Sequence, residues 1–371
     1  MRKLTYLLIV LLGCSCTEKT TPTQATAAEA ALKDSVSEVT LLIGGDMMMH
    51  MPQLNCGHVG GSEYNFDDVF ALVKPTVEKA DLAIANFETT LAPPPYTGYP
   101  CFCAPTSYLA AILHAGFDVL TTANNHCCDK GATGLTRTID EMDARHVPHL
   151  GTYKDKAARD AQHPLIIEKN NIRIALLSFT YGTNGLPVPK PFYVNHIDTA
   201  EIARDIAVAK LLKSDVIIAL PHWGIEYMRT ASEEQKQLTD WMLAHGVDHV
   251  VGGHPHVIQP FEVRETDGEK HLVAYSLGNY VSAQSKPDTD GGSMVRLTLQ
   301  KKGDTTRLTD CGYLLHWVSS PKTSGKRQYK VIPASYPDEQ LTPLERAARK
   351  RFVDSARQLL GKHNKGVEEV F

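Results

Sequence analysis

The sequence lacks several features that define common classes of protein. It has no P-loop, no G-x-G-x-x-G dinucleotide motif and no G-x-S-x-G turn, so the familiar signatures of nucleotide binding and serine hydrolysis are absent. Its 8 cysteines include no C-x-x-C pair, which argues against a zinc site made of thiolates. The formal net charge is −4 and no long run of one sign occurs, so the charge does not favour nucleic acid as a partner.

A long apolar run is also missing, and the N-terminus carries a short one. Residues 4–12 follow a basic start and are too few to span a bilayer, but they have the length of the apolar part of a signal peptide. Leu11-Leu12-Gly13-Cys14 resembles a bacterial lipobox, in which the cysteine becomes lipidated. Residues 1–16 are therefore predicted to be a lipoprotein signal peptide with Cys14 as the lipidated residue. Cys16 as that residue, a plain secretory signal and a short anchor are the alternatives.

The segment that follows predicts how the protein is held and where. Residues 17–38 contain few large apolar side chains, so they are predicted to be a flexible tether, with a folded domain over residues 39–371. The predicted location is the cell envelope, on its periplasmic or surface face, with the lipid as the membrane contact. Disulfides are permitted in such a compartment, but the spacing does not give a pairing, and buried thiols with at most one disulfide are favoured.

Alternating apolar runs and helical patterns predict an α/β fold with a largely parallel sheet. Capping-box residues mark two helix starts, at Ser232 with Gln235 and at Thr342 with Glu345. From residue 292 the pattern changes to alternating strands without helices, and it ends in a helix. Residues 292–362 are therefore predicted to be hairpins followed by a packed C-terminal helix.

Several of the apolar strands end in side chains that can bind metals. Ligands in open α/β sheets lie beyond the carboxyl ends of the strands, so residues distant in sequence can meet there. Carboxylate, amide and imidazole ligands suit Mn, Fe or Zn, and six of them exceed the needs of one tetrahedral zinc ion. The pattern predicts a site for a divalent metal, with two ions favoured. The predicted metal ligands are Asp46, Glu88, Asn125, His222, His254 and His256.

Six segments together resemble one known family. They are GGDMMMH, ADLAIANFETTL, the block from AGFDVLTTANNH to VPHLGT, PHWGIEY, GGHPHVIQP and YSLGNYV, within residues 39–281. Together they resemble the CapA-type poly-γ-glutamate capsule biosynthesis family of the calcineurin-like metallophosphatase superfamily. The resemblance implies a four-layer α/β/β/α sandwich with a metal site at one edge.

The same resemblance implies roles for the strand-end residues. Asp46 matches the first carboxylate of the superfamily, Glu88 its bridging carboxylate and His222 its isolated histidine. Asn125 is implied to be a ligand, and His126 the catalytic residue that protonates the leaving oxygen. His254 and His256 match the closing Gly-His-x-His block. The implied activity is metal-dependent hydrolysis of a phosphoester or a glutamyl polymer, with a membrane-bound synthase as a partner.

Two departures from the superfamily pattern keep other functions open. The superfamily usually begins with Asp-x-His, but here Asp46 is followed by Met47, Met48 and Met49 before His50. Glu88 stands where the wider superfamily has aspartate. His50 is the candidate to replace the missing histidine, and a site with one metal is an alternative. A non-catalytic lipoprotein that binds an anionic polymer or scaffolds a synthase is the second hypothesis, and a structural metal is the third.

Three residues are candidates for substrate contact. His50 follows the first strand, Glu226 lies in the HWGIEY segment and Asn279 lies in SLGNY. Glu226 would either bind an amine or cation of the substrate or pair with a surface Lys or Arg. Asn279 would either cap a turn or contact the substrate. Cys127 and Cys128 follow His126 without a flanking base motif and are interpreted as buried structural thiols.

Overall fold

The computed structural model describes residues 36–323 and 326–370 of the chain. The predicted signal peptide, Cys14 and residues 17–35 of the predicted tether lie outside the described residues. The first strand begins at Val36, before the boundary at Val39, because Val36 and Ser37 pair with Lys302 and Lys301 of a neighbouring strand. Residues 36–38 therefore belong to the folded part. No helix within the described ranges is both long and apolar enough to cross a membrane.

The strands, in chain order, are β1 (Val36–Met48), β2 (His58–Gly60), β3 (Glu63–Tyr64), β4 (Leu82–Glu88), β5 (Val119–Thr121), β6 (His149–Leu150), β7 (Thr152–Tyr153), β8 (Leu165–Lys169), β9 (Ile172–Thr180), β10 (Tyr193–Val194), β11 (Val216–His222), β12 (His249–Val251), β13 (Phe261–Thr266), β14 (Glu269–Ala274), β15 (Asn279–Val281), β16 (Gly291–Lys302), β17 (Thr305–Ser319), β18 (Lys322–Thr323), β19 (Lys326–Arg327), β20 (Lys330–Pro333) and β21 (Glu368–Glu369). The helices are α1 (Met51–Gly57), α2 (Asp67–Phe70), α3 (Lys74–Val77), α4 (Thr106–His114), α5 (Gly131–Ala144), α6 (Lys156–Gln162), α7 (Thr199–Leu211), α8 (Glu233–His245) and α9 (Pro343–His363), with a 3₁₀ turn over Asp338–Gln340.

Two sheets form the centre of the described part. The larger has the order β20-β17-β16-β1-β4-β5-β6, with β15 beside β1 and β21 beside β17. The smaller has the order β13-β14-β12-β11-β9-β8. β1, β4, β5 and β6 run parallel in the larger sheet, and β9, β11, β12 and β14 run parallel in the smaller one. Each sheet therefore presents a row of carboxyl ends at one edge.

Three apolar clusters define the layers. One lies between the sheets and contains Leu41 and Ile84 of the larger sheet together with Leu176 and Ile218 of the smaller one. A second packs the other face of the larger sheet against α2, α3, α4 and α5, and a third packs the other face of the smaller sheet against α7 and α8. Helices therefore cover both outer faces. The four-layer α/β/β/α sandwich expected from the sequence is confirmed.

The C-terminal region also follows the sequence prediction. β16 and β17 form a long antiparallel hairpin that continues the larger sheet beyond β1. α9 follows, with Thr342 accepting from the backbone N–H of Glu345 and the Glu345 carboxylate accepting from the backbone of Thr342. The same capping box, Ser232 with Gln235, begins α8. Both boxes satisfy backbone donors that a helix start would otherwise leave unpaired.

Candidate metal centre

Three of the predicted ligands meet at one buried point between the sheet edges. Asp46 lies near the end of β1, Glu88 ends β4, and His256 lies in the loop after β12. One ligand atom from each lies within 4.8 Å of the other two, a separation that one metal ion could bridge. Asp46 and Glu88 are fully buried, and His256 is almost fully buried. The parallel strands of both sheets therefore bring these side chains together, as the strand-end pattern predicts.

His222 and His254 lie beside this group, and Asn125 contacts it through His222. The His222 Nδ1 lies 3.9 Å from Asp46 Oδ1, and its Nε2 lies 2.7 Å from Asn125 Oδ1. The His254 ring lies 4.8 Å from the His222 ring, while its backbone N–H donates to Asp46 Oδ2 at 3.1 Å. Burial lowers the pKa of His222 to about 3 and that of His254 to about 2, so both rings are neutral and available as ligands at neutral pH.

Asn86 was not among the predicted site residues, yet it connects them. Its side-chain N–H group donates to Asp46 Oδ1 at 2.8 Å and to Glu88 Oε2 at 3.3 Å, and it lies 3.3 Å from His222 Nδ1. Its Oδ1 accepts from Asn124 and Thr121. Asn86 and Glu88 are two positions apart on β4, so their side chains share a face of the sheet. That alternation was a signal in the sequence for its place in the site.

The electrostatics of the two carboxylates favour a divalent cation. No Lys or Arg among the described residues pairs with Asp46 or Glu88, and Glu88 Oε1 and His254 Nδ1 have no hydrogen-bond partner. Burial, and then the charge of Asp46, raise the pKa of Glu88 well above its usual value. Burial also raises the pKa of Asp46, but its hydrogen bonds with His256 and Asn86 and its electrostatic interactions with the His222 and His256 rings outweigh burial and lower that pKa. A buried charge needs a compensating partner, and a metal ion would supply it.

The loop after β12 reaches the carboxylates because of its glycines. A Cβ on Gly253 would lie 2.7 Å from Asp46 Oδ1, and one on Gly252 would lie 2.3 Å from the Trp223 Nε1. The positive backbone angles lie instead at the histidines, with φ of 99° at His254 and 59° at His256. Residues other than glycine rarely adopt such angles, and they are concentrated at functional sites. Gly252 and Gly253 thus allow the loop backbone to lie close to Asp46 and Trp223, while His254 and His256 adopt the backbone angles at which the loop turns.

His126 lies near the centre and is oriented by a residue that the sequence did not single out. Its Nδ1 lies 2.8 Å from Asp129 Oδ2, and both side chains are buried. The Asp129 carboxylate also accepts from the backbone N–H of Phe102 at 2.6 Å, which fixes it in place. The Phe102 ring meets the His126 ring edge-on at 4.4 Å. With Nδ1 bound to Asp129, Nε2 is the ring nitrogen left for proton transfer.

His50 uses one ring nitrogen in contacts with neighbouring protein groups. Its Nδ1 lies 3.3 Å from Gln53 Oε1 and 3.3 Å from the backbone nitrogen of Ala283, so replacement of the histidine missing after Asp46 would fall to Nε2 and stays a prediction. His50 precedes α1 as its N-cap residue. Burial lowers the pKa of His50 to about 4.

Asn279 is fully buried and contacts the site from within the protein. Its Oδ1 lies 3.1 Å from His256 Nδ1, and its Nδ2 donates to Ser282, Gln284 and the carbonyl of Thr289. No part of the amide remains for a substrate. Asn279 therefore orients His256, because β15 pairs with β1 and brings this residue opposite Asp46.

The rim above the centre carries aromatic and charged residues. Tyr181 is 45% exposed, and its ring lies 4.5 Å from that of His254. Tyr227 lies 6.1 Å from His256, and its backbone N–H donates to the carbonyl of Pro255 at 2.8 Å. Glu226 is exposed and forms no ion pair within the described ranges, so pairing with a surface Lys or Arg is not observed there. The sequence pattern did not predict that Tyr181 and Tyr227 lie beside the candidate centre.

The cysteines in the described part of the chain are all free. Cys127 and Cys128 are buried, with their sulfur atoms 3.9 Å apart, and they pack with Leu135 and Val194. Their surroundings are apolar, in keeping with the interpretation as structural thiols.

The fold and the centre together define a four-layer α/β/β/α protein with a buried carboxylate and histidine site at the carboxyl ends of its strands. The family model described as bacterial capsule synthesis protein PGA_cap matches residues 40–284. The chain belongs to this family, and the resemblance carried by the sequence motifs is confirmed.

Two curated relatives support the assignment. The capsule biosynthesis protein CapA of Bacillus anthracis is 29% identical over 313 residues, which cover 81% of this chain and 73% of that protein. The PGA biosynthesis protein CapA of Bacillus subtilis (strain 168) is 28% identical over 258 residues, which cover 64% of this chain and 62% of that protein.

Solved structures show weaker likenesses. The NAD nucleotidase NadN of Haemophilus influenzae has a TM-score of 0.47 at 14% identity, covering 87% of this chain and 56% of that one. The calcineurin-like phosphoesterase YfkN of Bacillus subtilis has a TM-score of 0.44 at 14% identity, covering 87% of this chain and 98% of that one. Likenesses of this extent carry no conclusion about the activity of this chain.

Proposed function

We propose that this protein is an exported, lipid-anchored, metal-dependent hydrolase that acts on a phosphoester or a glutamyl polymer during capsule or exopolymer biosynthesis. The observation that carries the proposal is the meeting of Asp46, Glu88 and His256 at a buried point where no Lys or Arg of the described residues neutralises the two carboxylates. Membership of the capsule synthesis family supports the biological setting, and similarity to the PGA biosynthesis protein CapA of Bacillus subtilis supports a glutamyl polymer as a substrate class.

The donor set fits a divalent ion such as Mn, Fe or Zn, held by Asp46, Glu88 and His256 with His222 and His254 beside them. Such an ion supplies Lewis acidity and lowers the pKa of water toward neutrality. Asn86 holds both carboxylates in position through one side-chain amide, and Asn279 fixes the ring of His256. The protein thus prearranges the donors before a metal arrives, which reduces the cost of organising them.

Proton delivery falls to His126. Asp129 accepts from Nδ1, so a protonated His126 holds its other proton at Nε2 and can donate it to a leaving oxygen. The edge of Phe102 and the burial of both side chains exclude bulk water from this pair. The contact with Asp129 also holds the orientation of the His126 ring.

The test uses the solubilised full-length chain with Mn²⁺ and three substrates: a phosphodiester, a phosphomonoester and poly-γ-glutamate. We expect turnover of one of them, loss of that turnover in Asp46→Asn, and retention in Asp304→Asn, an exposed carboxylate on the turn between β16 and β17. Absence of turnover on all three, with Mn²⁺ bound, would remove the catalytic proposal.

A second candidate function is a non-catalytic lipoprotein that binds an anionic polymer or scaffolds a membrane-bound synthase. Met48, which stands where the superfamily has the histidine of its Asp-x-His pattern, favours it, because the first of two metals would lack that ligand. Metal analysis of the purified chain separates the candidates. Polymer binding that survives both chelation and His254→Ala, without bound metal, supports the scaffold.

A further inference from the structure

The rim beside the candidate metal centre holds a cation and an anion that lack partners of opposite charge. The Lys286 ammonium lies 3.6 Å above the centre of the Tyr227 ring and forms no ion pair with a described carboxylate. Glu226 precedes Tyr227 and likewise forms no ion pair within the described ranges. Neighbouring charges do pair, since Arg229 contacts Asp288 at 3.0 Å. Ion pairs therefore form between neighbouring residues of this region, but neither Lys286 nor Glu226 forms one with a described residue.

Tyr227 ties this pair of charges to the metal centre. Its backbone N–H donates to the carbonyl of Pro255, between the two histidines, and its ring lies 6.1 Å from that of His256. Tyr227 has a positive φ of 66°, a conformation that is costly for a tyrosine and marks a position set by its surroundings. The charge of Glu226 also reaches the centre, since it helps to raise the pKa of Glu88 after burial and Asp46. Lys286 lies over the Tyr227 ring and Glu226 precedes Tyr227 in the chain, so both charges lie beside the rim residue that contacts the loop of His254 and His256.

We infer that Glu226 and Lys286 bind the two charges of an amino-acid chain end, Glu226 the α-ammonium group and Lys286 the α-carboxylate. In an amino acid these groups are bonded to the same carbon, so one chain end can contact an anion and a cation that both lie beside Tyr227. An internal unit of a γ-linked glutamyl polymer offers only the carboxylate, whereas its amino-terminal unit offers both. The site would therefore recognise the amino-terminal end of such a polymer. This inference rests on the proposed function, because it places that end beside the hydrolytic centre.

The test is a binding measurement by calorimetry with the solubilised full-length chain in chelator, so that no hydrolysis occurs. The probes are γ-glutamyl-glutamate, its N-acetyl derivative, and the derivative whose amino-terminal α-carboxylate is an amide. An exposed charge pair contributes up to about 1 kcal/mol, which is about fivefold in affinity. We expect each derivative to bind about fivefold more weakly than the dipeptide.

Matched variants identify the contacts. Glu226→Gln should bind the dipeptide and its N-acetyl derivative equally, because it lacks the charge that would contact the α-ammonium group. Lys286→Met should bind the dipeptide and its amide equally, because it lacks the charge that would contact the α-carboxylate. Glu265→Gln and Lys302→Met, exposed residues on β13 and β16, should keep the full discrimination. Thermal melting checks that every variant is folded.

The inference is overturned if the dipeptide shows no saturable binding in the millimolar range, if its derivatives bind as tightly as it does, or if Glu226→Gln and Lys286→Met retain the discrimination. These outcomes are separate from failure of the proposed function. If hydrolysis depends on Asp46 but the rim does not discriminate between the probes, the proposed hydrolase activity stands and the inference about the chain end is wrong. If the probes are discriminated in binding but no hydrolysis occurs, the inference about the chain end stands and the proposed hydrolase activity is wrong.

Discussion

Replacing Glu88 by glutamine should have opposite consequences with and without metal. In the metal-free chain Glu88 is fully buried beside Asp46; within residues 36–323 and 326–370 no Lys or Arg pairs with it, and its Oε1 has no hydrogen-bond partner. A neutral side chain of the same size relieves this arrangement, so Glu88→Gln should melt at the same temperature as the wild type or higher in chelator. With Mn²⁺ present the variant should lose stabilisation, because one of the two carboxylates that would hold the ion has become a neutral amide.

The size of the effect follows from binding and from chain length. Metal at about 100 times its dissociation constant stabilises the folded state by about 2.7 kcal/mol. Unfolding entropy of about 2.1 cal/mol/K per residue gives roughly 0.7 kcal/mol/K for the described part, so the wild type should melt about 4 °C higher with metal. Glu88→Gln should show less than half of this rise.

Differential scanning calorimetry in chelator and in Mn²⁺ measures both quantities. Glu339→Gln, an exposed residue of the 3₁₀ turn, is the matched control and should keep the metal-dependent rise. The reasoning would be refuted by an undiminished rise in Glu88→Gln. It would also be refuted by a marked loss of stability of that variant in chelator, since the buried carboxylate would then be stabilising without metal.

Three further outcomes test other parts of the site and the fold. Asp129→Asn should lower kcat by about 100-fold with little change in melting temperature, because His126 loses the carboxylate that orients it; an unchanged kcat would contradict this. Gly253→Ala should weaken Mn²⁺ binding in a titration, because its Cβ would lie 2.7 Å from Asp46 Oδ1, whereas Gly361→Ala, in open space on α9, should not. Burial lowers the pKa of His316 from 6.5 to about 4, so the unfolded chain takes up its proton first as pH falls, and this residue should reduce the free energy of unfolding by about 3 kcal/mol between pH 6.5 and 4. Denaturant unfolding of His316→Gln should show a shallower loss over that range, and an equal loss would exclude this residue as the cause.

Much of the fold could be predicted because its signals are local. The apolar runs that end at Glu88 and His222 are strands with those bounds, and the capping boxes at Ser232 and Thr342 begin α8 and α9. Propensity, alternation and capping depend on residues within a few positions of one another. The start of β1 at Val36 escaped prediction because exposed residues became a strand only through pairing with β16.

The candidate centre was predictable in its members but not in its contacts. Strand-end positions identified Asp46, Glu88 and His256, since the carboxyl ends of parallel strands share an edge. The sequence could not show that the buried side chain of Asn279 contacts His256 Nδ1 through its Oδ1, or that His50 Nδ1 contacts Gln53. Those outcomes depend on which elements lie next to each other across the two sheets.

The sequence by itself thus determined the α/β pattern, the family and the residue types that gather at the strand ends. Tertiary structure alone decided that Asn86 holds two carboxylates at once, that Asp129 orients His126, and that Glu226 and Lys286 form no ion pair with another described residue. The physical reason is the distance over which each interaction acts. Helix and strand preferences depend on residues a few positions apart in the chain, whereas charge compensation and hydrogen bonding between buried groups depend on distances in space that only the packed sheets establish.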